Sequence, residues 1–392
     1  MAKTIAIIGA GPIGLEAALA ARLRGYRVHV YERGGIADSV RRWGHIRMFS
    51  PFAMNASEAG VSLVRKAGRQ IPAPDALLTG SEYVEAYLAP LAESLDVQTR
   101  TQVKALAREG AGKRDKIGEP TRADTPFRLL VEHEGIERYD DADLVFDCSG
   151  TFLNPNPLGD AGLPALGEAG AQAAIGYDPS AIANLDPLAG KRVLVAGGGH
   201  SAANAIVALA DLQRRHPQTT VTWVVKKPGA EPLRRVPQDP LPERDRIVAA
   251  ANAAVISGAV TLRDGATIHS LVPTDHGIEV TLNPALPGQP LVADRILGLT
   301  GFRPDTALSR ELQVQNCWAT EGTYPLAASL LGEAGGDCLT VASFGAETLR
   351  HPEPGYFVLG MKSYGRTPDF LIRTGLEQVA SLLDWLDAGG GQ

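Results

Sequence analysis

The sequence predicts an α/β protein with two nucleotide-binding units, and three observations carry that prediction. A short apolar run, Ile5 to Ile8, opens directly into Gly9-Ala10-Gly11-Pro12-Ile13-Gly14, a G-x-G-x-x-G. The arrangement returns where Arg192 to Ala196 opens into Gly197-Gly198-Gly199-His200-Ser201-Ala202, a G-x-G-x-x-A. In both places a helix-like stretch and then a second strand-like run follow, the order of a βαβ unit. The copies stand 188 positions apart, counted from Gly9 to Gly197. That is too long for a solenoid period, so two separate Rossmann-like units are expected.

The first unit is Lys3 to Glu32. Ile5 to Ile8 carries no charge, which suits a strand buried on both faces of a parallel sheet. Leu15 to Leu23 is rich in good helix formers, and Val28 to Tyr31 reads as the second strand. Gly9 permits the tight turn, Gly11 lets backbone approach a pyrophosphate, and Gly14 lets helix and strand pack closely. Free N–H groups at the helix start meet phosphate charge. Glu32 follows Gly14 by eighteen positions, where a carboxylate can accept hydrogen bonds from ribose hydroxyls.

The chain has 392 residues, enough for two or three domains with cores of their own. Hydrophobic residues make up 44% and charged residues 21%, the balance of a globular protein. The net charge of −6 gives no electrostatic case for nucleic acid. No apolar run is long enough for a membrane span, and the N-terminus enters the first strand at once, so no signal peptide is expected. Cys148, Cys317 and Cys338 are far apart and form no C-x-x-C, which argues against a disulfide framework, a redox-active dithiol and a zinc site. No metal ligand set is expected, and the expected compartment is the cytoplasm. Oligomeric state stays open, a homodimer included.

Arg33 to Asn55 is rich in aromatic, basic and hydrogen-bonding side chains without clear periodicity, as a cofactor-facing loop would be. Ser57 to Gly68 reads as a short helix. Thr79 or Ser81 can cap a helix running to Leu95, with Tyr83, Tyr87, Leu88 and Leu91 on its apolar stripe. Val97 to Ala107 is strand-like, and Ala111 to Asp124 is a polar excursion expected to be exposed. Glu134-Gly135 between Phe127–Glu132 and Ile136–Tyr139 is a hairpin signal. Asp143 to Phe146 is a further strand. The proline-rich stretch from Asn154 to Gly190 reads as the crossing to the second unit.

In that unit, Ala203 to Arg214 reads as the helix and Thr220 to Val225 as the next strand. Lys226 and Lys227 stand where the first unit has its acid, with Arg234 and Arg235 just beyond. Cations there pair with a 2′-phosphate, so NADPH rather than NADH is expected. A helix over Glu243–Ser257 and strands over Val260–Leu262, Ile268–Val272, Ile278–Leu282 and Arg295–Leu299 follow. Cys338 to Phe344 gives no clear signal. Gly355 to Gly360 reads as a last buried strand and Met361 to Arg366 as a loop. Thr367 with Pro368 fits an N-cap and first residue for a helix running to about Leu386.

These features resemble the flavoproteins with two dinucleotide-binding domains, a group that includes disulfide reductases, flavin-containing and Baeyer–Villiger monooxygenases and N-hydroxylating monooxygenases. The resemblance covers nearly the whole chain. Cys148-Ser149-Gly150 resembles the Ala-Thr-Gly that leaves the FAD domain, and Thr300-Gly301-Phe302-Arg303-Pro304 the second such crossing. Gly360 with the helix after Thr367 resembles the closing FAD motif. The resemblance implies an FAD domain over 1–155 and 320–392, an NADPH domain over 188–305, and connections over 156–187 and 306–319. It implies FAD contacts from Gly9, Gly11, Pro12, Gly14, Glu32, Arg33, Trp43 and Met48, and from the backbone of Val103 at the adenine. Ser149, Gly150, Gly360, Lys362, Thr367 and Phe370 complete that set. It implies NADPH contacts from Gly197, Gly199, His200, Ser201, Ala202, Lys226 and Lys227, with Thr300 and Gly301 at the crossing.

Trp43 to Asn55 and Gly199 to Ala202 look most like the monooxygenase branch. A set of bacterial FAD-dependent oxidoreductases carries Trp-Gly-His-x-Arg-x-Phe-Ser-Pro and His-Pro-Glu-Pro-Gly-x-x-x-x-Gly-Met-Lys-Ser-Tyr-Gly-Arg, here Trp43 to Pro51 and His351 to Arg366. The F-x-G-x-x-x-H-x-x-x-W of flavin-containing and Baeyer–Villiger enzymes is absent, since no histidine follows Phe152 until His200. The implied activity is an FAD-dependent, NADPH-consuming monooxygenase acting through a C4a-peroxyflavin with O₂ on a small molecule, at sulfur, nitrogen or a carbonyl. Ser50 and Asn55 are the candidate hydrogen-bonding residues near the flavin, His45 a candidate for orienting substrate, and Tyr364 and Lys362 candidates at the flavin edge. A reductase passing electrons to a quinone, a metal compound or a protein partner is the rival reading.

Overall fold

The computed structural model describes residues 2–284, 291–332 and 344–390. The chain divides into two compact units, one of Met1–Gly44, Ser50–Asn154 and Arg303–Gln392, the other of His45–Phe49 and Pro155–Phe302.

In the first unit five parallel strands form a sheet in the order Tyr356–Val358, Leu144–Asp147, Thr4–Ile8, Arg27–Tyr31, Val97–Gln98. Ile5 and Ile7 are fully buried, as the uncharged run requires. Helix Pro12–Leu23 packs against helix Ile372–Asp387. A three-stranded antiparallel sheet, Thr101–Arg108, Phe127–His133 and Ile136–Ala142, closes another core with Ala6, Ile8, Tyr31 and Val145. Its hairpin turns where expected, with Glu134 at φ 50° and Gly135 at φ 82°. Two successive positive φ values match the right-handed twist of the paired strands.

The second unit repeats the plan. Its parallel sheet runs Thr261–Arg263, Thr220–Val224, Arg192–Ala196, Arg295–Gly298, Ile175–Gly176. Helices His200–Arg215 and Pro242–Ile256 bury Ile206, Leu209, Leu212, Ile247 and Val248 in a core around Trp223. Strands Thr267–Thr274, Gly277–Asn283 and Leu291–Ala293 form its antiparallel sheet. Among the described residues no helix is long and apolar enough to cross a membrane.

Several expectations need correction. Val97 to Ala107 is two strands. Arg100, at φ 52°, turns the chain from the parallel sheet into the antiparallel one. Val103 therefore lies inside a strand, opposite Val131 and beside a β-bulge, not at a strand end. The excursion after Ala111 is not wholly exposed, because Arg122 is buried. Residues 303–319 belong to the first unit and 156–187 to the second. Pro325 to Leu331, a stretch without a clear signal in the sequence, lies in helix Tyr324–Gly332. Met361 to Arg366 is mostly a 3₁₀ turn, Gly360–Tyr364. Thr367 caps nothing: the last helix starts at Ile372, after the extended N-cap Leu371. Cys338, and all of the Cys338–Phe344 stretch but its last residue, lie outside the described residues.

Candidate functional site

The first glycine turn is built as its sequence demands. Gly9 sits at φ 101°, and a Cβ there would stand 2.7 Å from the Cys148 carbonyl oxygen. A Cβ on Gly14 would stand 1.9 Å from the Gly9 carbonyl oxygen, so nothing larger fits. Gly11 differs, for a Cβ there would meet nothing within 4 Å. It is the N-cap of a helix that Pro12 opens, with no side-chain cap and no acid in the first turn. The first-turn amides thus stay unclaimed by side chains, and backbone is exposed to an anion.

Glu32 sits half-buried at the end of the second strand. Its Oε2 accepts from the Ala10 N–H at 2.8 Å and its Oε1 from the Gly34 N–H at 2.7 Å. Those bonds fix the carboxylate beside the turn, and each oxygen keeps a lone pair for a diol. Arg33 is exposed, while Trp43 packs where a Cβ on Gly80 would stand 2.7 Å from its ring.

Past Leu144–Asp147 the chain turns through Cys148, the exposed Ser149, and Gly150 at φ 68°. Asp147 is fully buried. Its Oδ1 accepts from the Ser149 hydroxyl at 2.6 Å, and its Oδ2 accepts from Lys362 Nζ at 2.7 Å and the Tyr356 hydroxyl at 2.9 Å. Burial alone would raise this carboxyl, but Lys362 and Ser149 hold it below the usual carboxylate range. Burial, with Asp147 alongside, pushes the half-buried Cys148 thiol up. Lys362 Nζ also donates to Ser149 Oγ at 3.0 Å. Lys362 is therefore held in a buried network with Asp147 and Ser149. Asp147 and Tyr356 escaped the sequence reading; the signal was an acid closing the uncharged strand Leu144–Phe146.

Gly360, at φ 72°, lies against Ile13 and donates its N–H to Gln378 Oε1 at 2.9 Å. The Tyr364 ring meets Phe370 edge-on at 5.4 Å. Tyr364 Oη and, in the first turn of the last helix, Thr374 Oγ1 are both buried without a partner. Burial pushes the Tyr364 hydroxyl up to about 12. Unmet buried polar atoms are costly, so two of them in these segments point to a ligand that satisfies them. With the open Gly11 turn, this fits FAD. Thr367 is half-buried, and its N–H is taken by the Tyr364 carbonyl.

Ser50 and Asn55 are bonded to each other and to their own loop. Ser50 donates its hydroxyl to Asn55 Oδ1 at 2.9 Å, and Asn55 Nδ2 donates to the Ser50 and Pro51 carbonyls at 3.1 and 2.9 Å. All their side-chain donors are spent on their own loop, which leaves their oxygens as the groups able to accept a further hydrogen bond. His45 is exposed and Met48 buried, both within the second unit.

The second glycine turn repeats the first. Gly197 sits at φ 134°, where a Cβ would stand 2.1 Å from the Leu299 carbonyl oxygen. Gly198 and Gly199 are open, and Gly199 caps helix His200–Arg215 without a side chain. His200 meets the Phe49 ring edge-on at 5.3 Å, Ser201 is half-buried, and Ala202 is buried in the core. Lys226 and Lys227 are exposed; Lys226 reaches Asp160 only at 3.7 Å. Arg235 is held by Asp245 at 2.6 Å and so is less available than the lysines. Thr300 and Gly301 are pinned by Asn156, whose carbonyl accepts from Thr300 Oγ1 at 2.8 Å and whose N–H donates to Gly301 at 2.9 Å. They act as a crossing.

Residues 6–114 match the pyridine nucleotide-disulphide oxidoreductase family. No curated protein sequence matches the chain significantly. Solved structures match throughout. Bacillithiol disulfide reductase Bdr (YpdA) from Bacillus cereus is 17% identical with a TM-score of 0.71, covering 99% of this chain and 100% of that one. Ornithine N-hydroxylase KtzI from Kutzneria sp. 744, in a structure titled with reduced FAD, NADP⁺ and L-orn, is 15% identical with a TM-score of 0.68 and covers 99% and 100%. Thioredoxin reductase from T. acidophilum is 15% identical with a TM-score of 0.63 and covers 99% and 100%. The sequence match thus covers residues 6–114, and over its whole length the chain shares the fold of these oxidoreductases, the two-unit plan that its two glycine turns implied.

Proposed function

We propose that the protein is an FAD-dependent, NADPH-consuming monooxygenase that oxygenates a small molecule at sulfur, nitrogen or a carbonyl. One observation carries the cofactor part. Two open glycine turns are followed by opposite charges, Glu32 after the first and Lys226 with Lys227 after the second. A carboxylate accepts from a ribose diol and repels a 2′-phosphate, whereas exposed lysines attract it. FAD accordingly belongs to the first unit and NADPH to the second.

Bound FAD supplies the redox chemistry and the activation of O₂. The chain's part is to bind, orient and exclude water. Gly11 and the first-turn amides would hold the pyrophosphate, and Glu32 would receive the adenosine ribose. The N–H groups opening helix Ile372–Asp387 would face the flavin, with Tyr364 and Thr374 as polar contacts and Ile13 and Phe370 as apolar ones.

The choice of oxygen as electron acceptor rests on the cysteines. Among the described residues Cys148 and Cys317 form no pair, and burial pushes the Cys148 thiol up. Burial would raise Cys317 too, but hydrogen bonds from Thr320 and Ala319 bring that thiol below its ordinary value, without a second thiol beside it to make a dithiol. The ornithine N-hydroxylase likeness supports this reading. The likeness to two reductases supports the second one, direct reduction of a quinone, a metal compound or a protein partner without a protein dithiol.

Two measurements test the proposal. The purified protein should be yellow and should oxidise NADPH in preference to NADH. Lys226→Ala with Lys227→Ala should raise KM for NADPH about tenfold, the worth of a lost charge-assisted hydrogen bond, and spare NADH; equal effects on both end the NADPH assignment. In rapid mixing of reduced, NADP⁺-bound protein with O₂, the monooxygenase reading expects a long-lived oxygenated intermediate. Featureless reoxidation with no oxygenated product selects the reductase reading.

A further inference from the structure

Residues of the first unit outside its glycine turn enclose a cleft of about 450 Å³. That lies within the range of small-molecule sites, roughly 300–1,000 Å³. Its walls include Lys113, Arg303, Thr306, Arg310 and Asn316. Arg303 is half-buried and Arg310 exposed, and neither guanidinium has a carboxylate partner among the described residues. The two acids of the lining are otherwise engaged. Glu321 binds Arg366 through bonds of 2.9 and 2.8 Å, and Asp305 accepts from the Ala307 N–H at 2.9 Å. Lys113 Nζ is tied to the Arg310 carbonyl at 2.8 Å, which fixes a third cation at the cleft. Asp305 keeps its charge, but Lys113, Arg303 and Arg310 outnumber it, so the balance of unpaired charge at the cleft is positive.

The cleft continues into an inner throat of about 10 Å³, with which it shares Pro304, Thr306, Ser309, Asn316 and Glu321. Such a space holds about one water-sized group. Thr323 lines that throat, is 1% exposed, and its Oγ1 has no hydrogen-bond partner. A buried hydroxyl left unmet is costly, and the throat that Thr323 lines offers room for a partner. Asn316 and Thr323 pair across an isolated bridge. Trp318, in the loop between them, is 90% exposed.

We propose that this cleft binds the oxyanion group, carboxylate or phosphate, of a small polar molecule, with Arg303 and Arg310 as its cationic contacts and Thr323 as the polar contact at its inner end. Lys362, which the resemblance gives to FAD, also lines the throat, but its Nζ is held by Asp147 and Ser149, and none of the three contacts named here is assigned to a dinucleotide.

The test titrates the protein as purified with inorganic phosphate and, separately, with succinate at constant ionic strength, by calorimetry and by tryptophan fluorescence. Saturable one-site binding of at least one probe is expected; phosphate alone marks a phosphate-bearing ligand, succinate alone a carboxylate. Arg310→Ala and Arg303→Gln should each weaken binding at least tenfold, and Thr323→Val severalfold. Arg310 is exposed, so its variant is expected to fold. Trp318→Phe should abolish the fluorescence response but keep the heat, and Lys226→Ala with Lys227→Ala should leave affinity unchanged. The proposal is overturned if neither probe saturates, if both arginine variants bind as the parent does, or if the double lysine variant loses binding.

Discussion

His351 and Glu353 are two residues apart in a segment that packs inside the first unit, and they respond to acid in separate windows. His351 is 8% exposed, accepts from the Gln315 N–H at 3.3 Å, and burial pushes its pKa down to about 4. A folded value below the ordinary 6.5 means the unfolded chain takes up a proton first. The contribution is therefore present above about pH 6.5 and is lost as pH falls toward 4, for about 3 kcal/mol in all. Glu353 is fully buried between Arg108 at 2.8 Å and Arg122 at 2.7 Å. Burial would raise its carboxyl, but Arg122, the Gln313 N–H and Arg108 hold it below the usual range. Its contribution is present above the unfolded carboxylate value and disappears only below about pH 4. Denaturant midpoints measured from pH 8 to 3 should thus decline in two limbs. His351→Asn should flatten the upper limb and leave the lower one, and an unchanged upper limb would remove His351 as its source. The sequence could offer these residues only as part of a motif. Glu353 gains meaning from two arginines more than 200 positions earlier, and no local pattern announces such a pairing.

At the scale of elements, local chemistry was readable wherever it decided the outcome. Thr79 caps its helix through a capping box with Glu82, and Tyr83, Tyr87, Leu88 and Leu91 are fully buried, as their spacing required. The last helix was misread because its start is set from a distance. The Arg366 N–H donates to the Thr320 carbonyl at 2.7 Å, and a Cβ on Gly365 would stand 2.0 Å from that oxygen. These contacts hold the chain away from a helical path through Arg366. The helix begins only at Ile372, after the extended Leu371. The glycine turn allows a sharper test. Gly11→Ala meets open space, so its thermal stability should stay near that of the flavin-free parent while flavin is lost. Gly14→Ala drives a methyl into the Gly9 carbonyl and should lose both flavin and stability, by about 3 kcal/mol. Melting temperature and flavin absorbance separate the two. A Gly11→Ala variant that stays fully yellow would show that this backbone is not the phosphate contact.

For the whole molecule, the repeat of one plan was legible because each copy advertises itself locally: an uncharged run, glycines at fixed offsets, a helix and a second strand. The borders were less legible. His45–Phe49 clusters with the second unit and 303–319 with the first, although both were read by position in the chain. Where five residues go is decided by what they pack on, as Phe49 does on His200. The same independence of the two units has a functional consequence. Each holds its own sheet, core and glycine turn, so damage to one cradle should leave the other's ligand in place. Gly197→Ala would press a methyl to within 2.1 Å of the Leu299 carbonyl oxygen, in the second unit alone. The variant should keep the flavin absorbance of the parent yet show no reduction of that flavin by NADPH, while dithionite still bleaches it. Loss of flavin together with NADPH response would mean that the turn supports the fold of the first unit as well, and that the two nucleotide sites are not separately built.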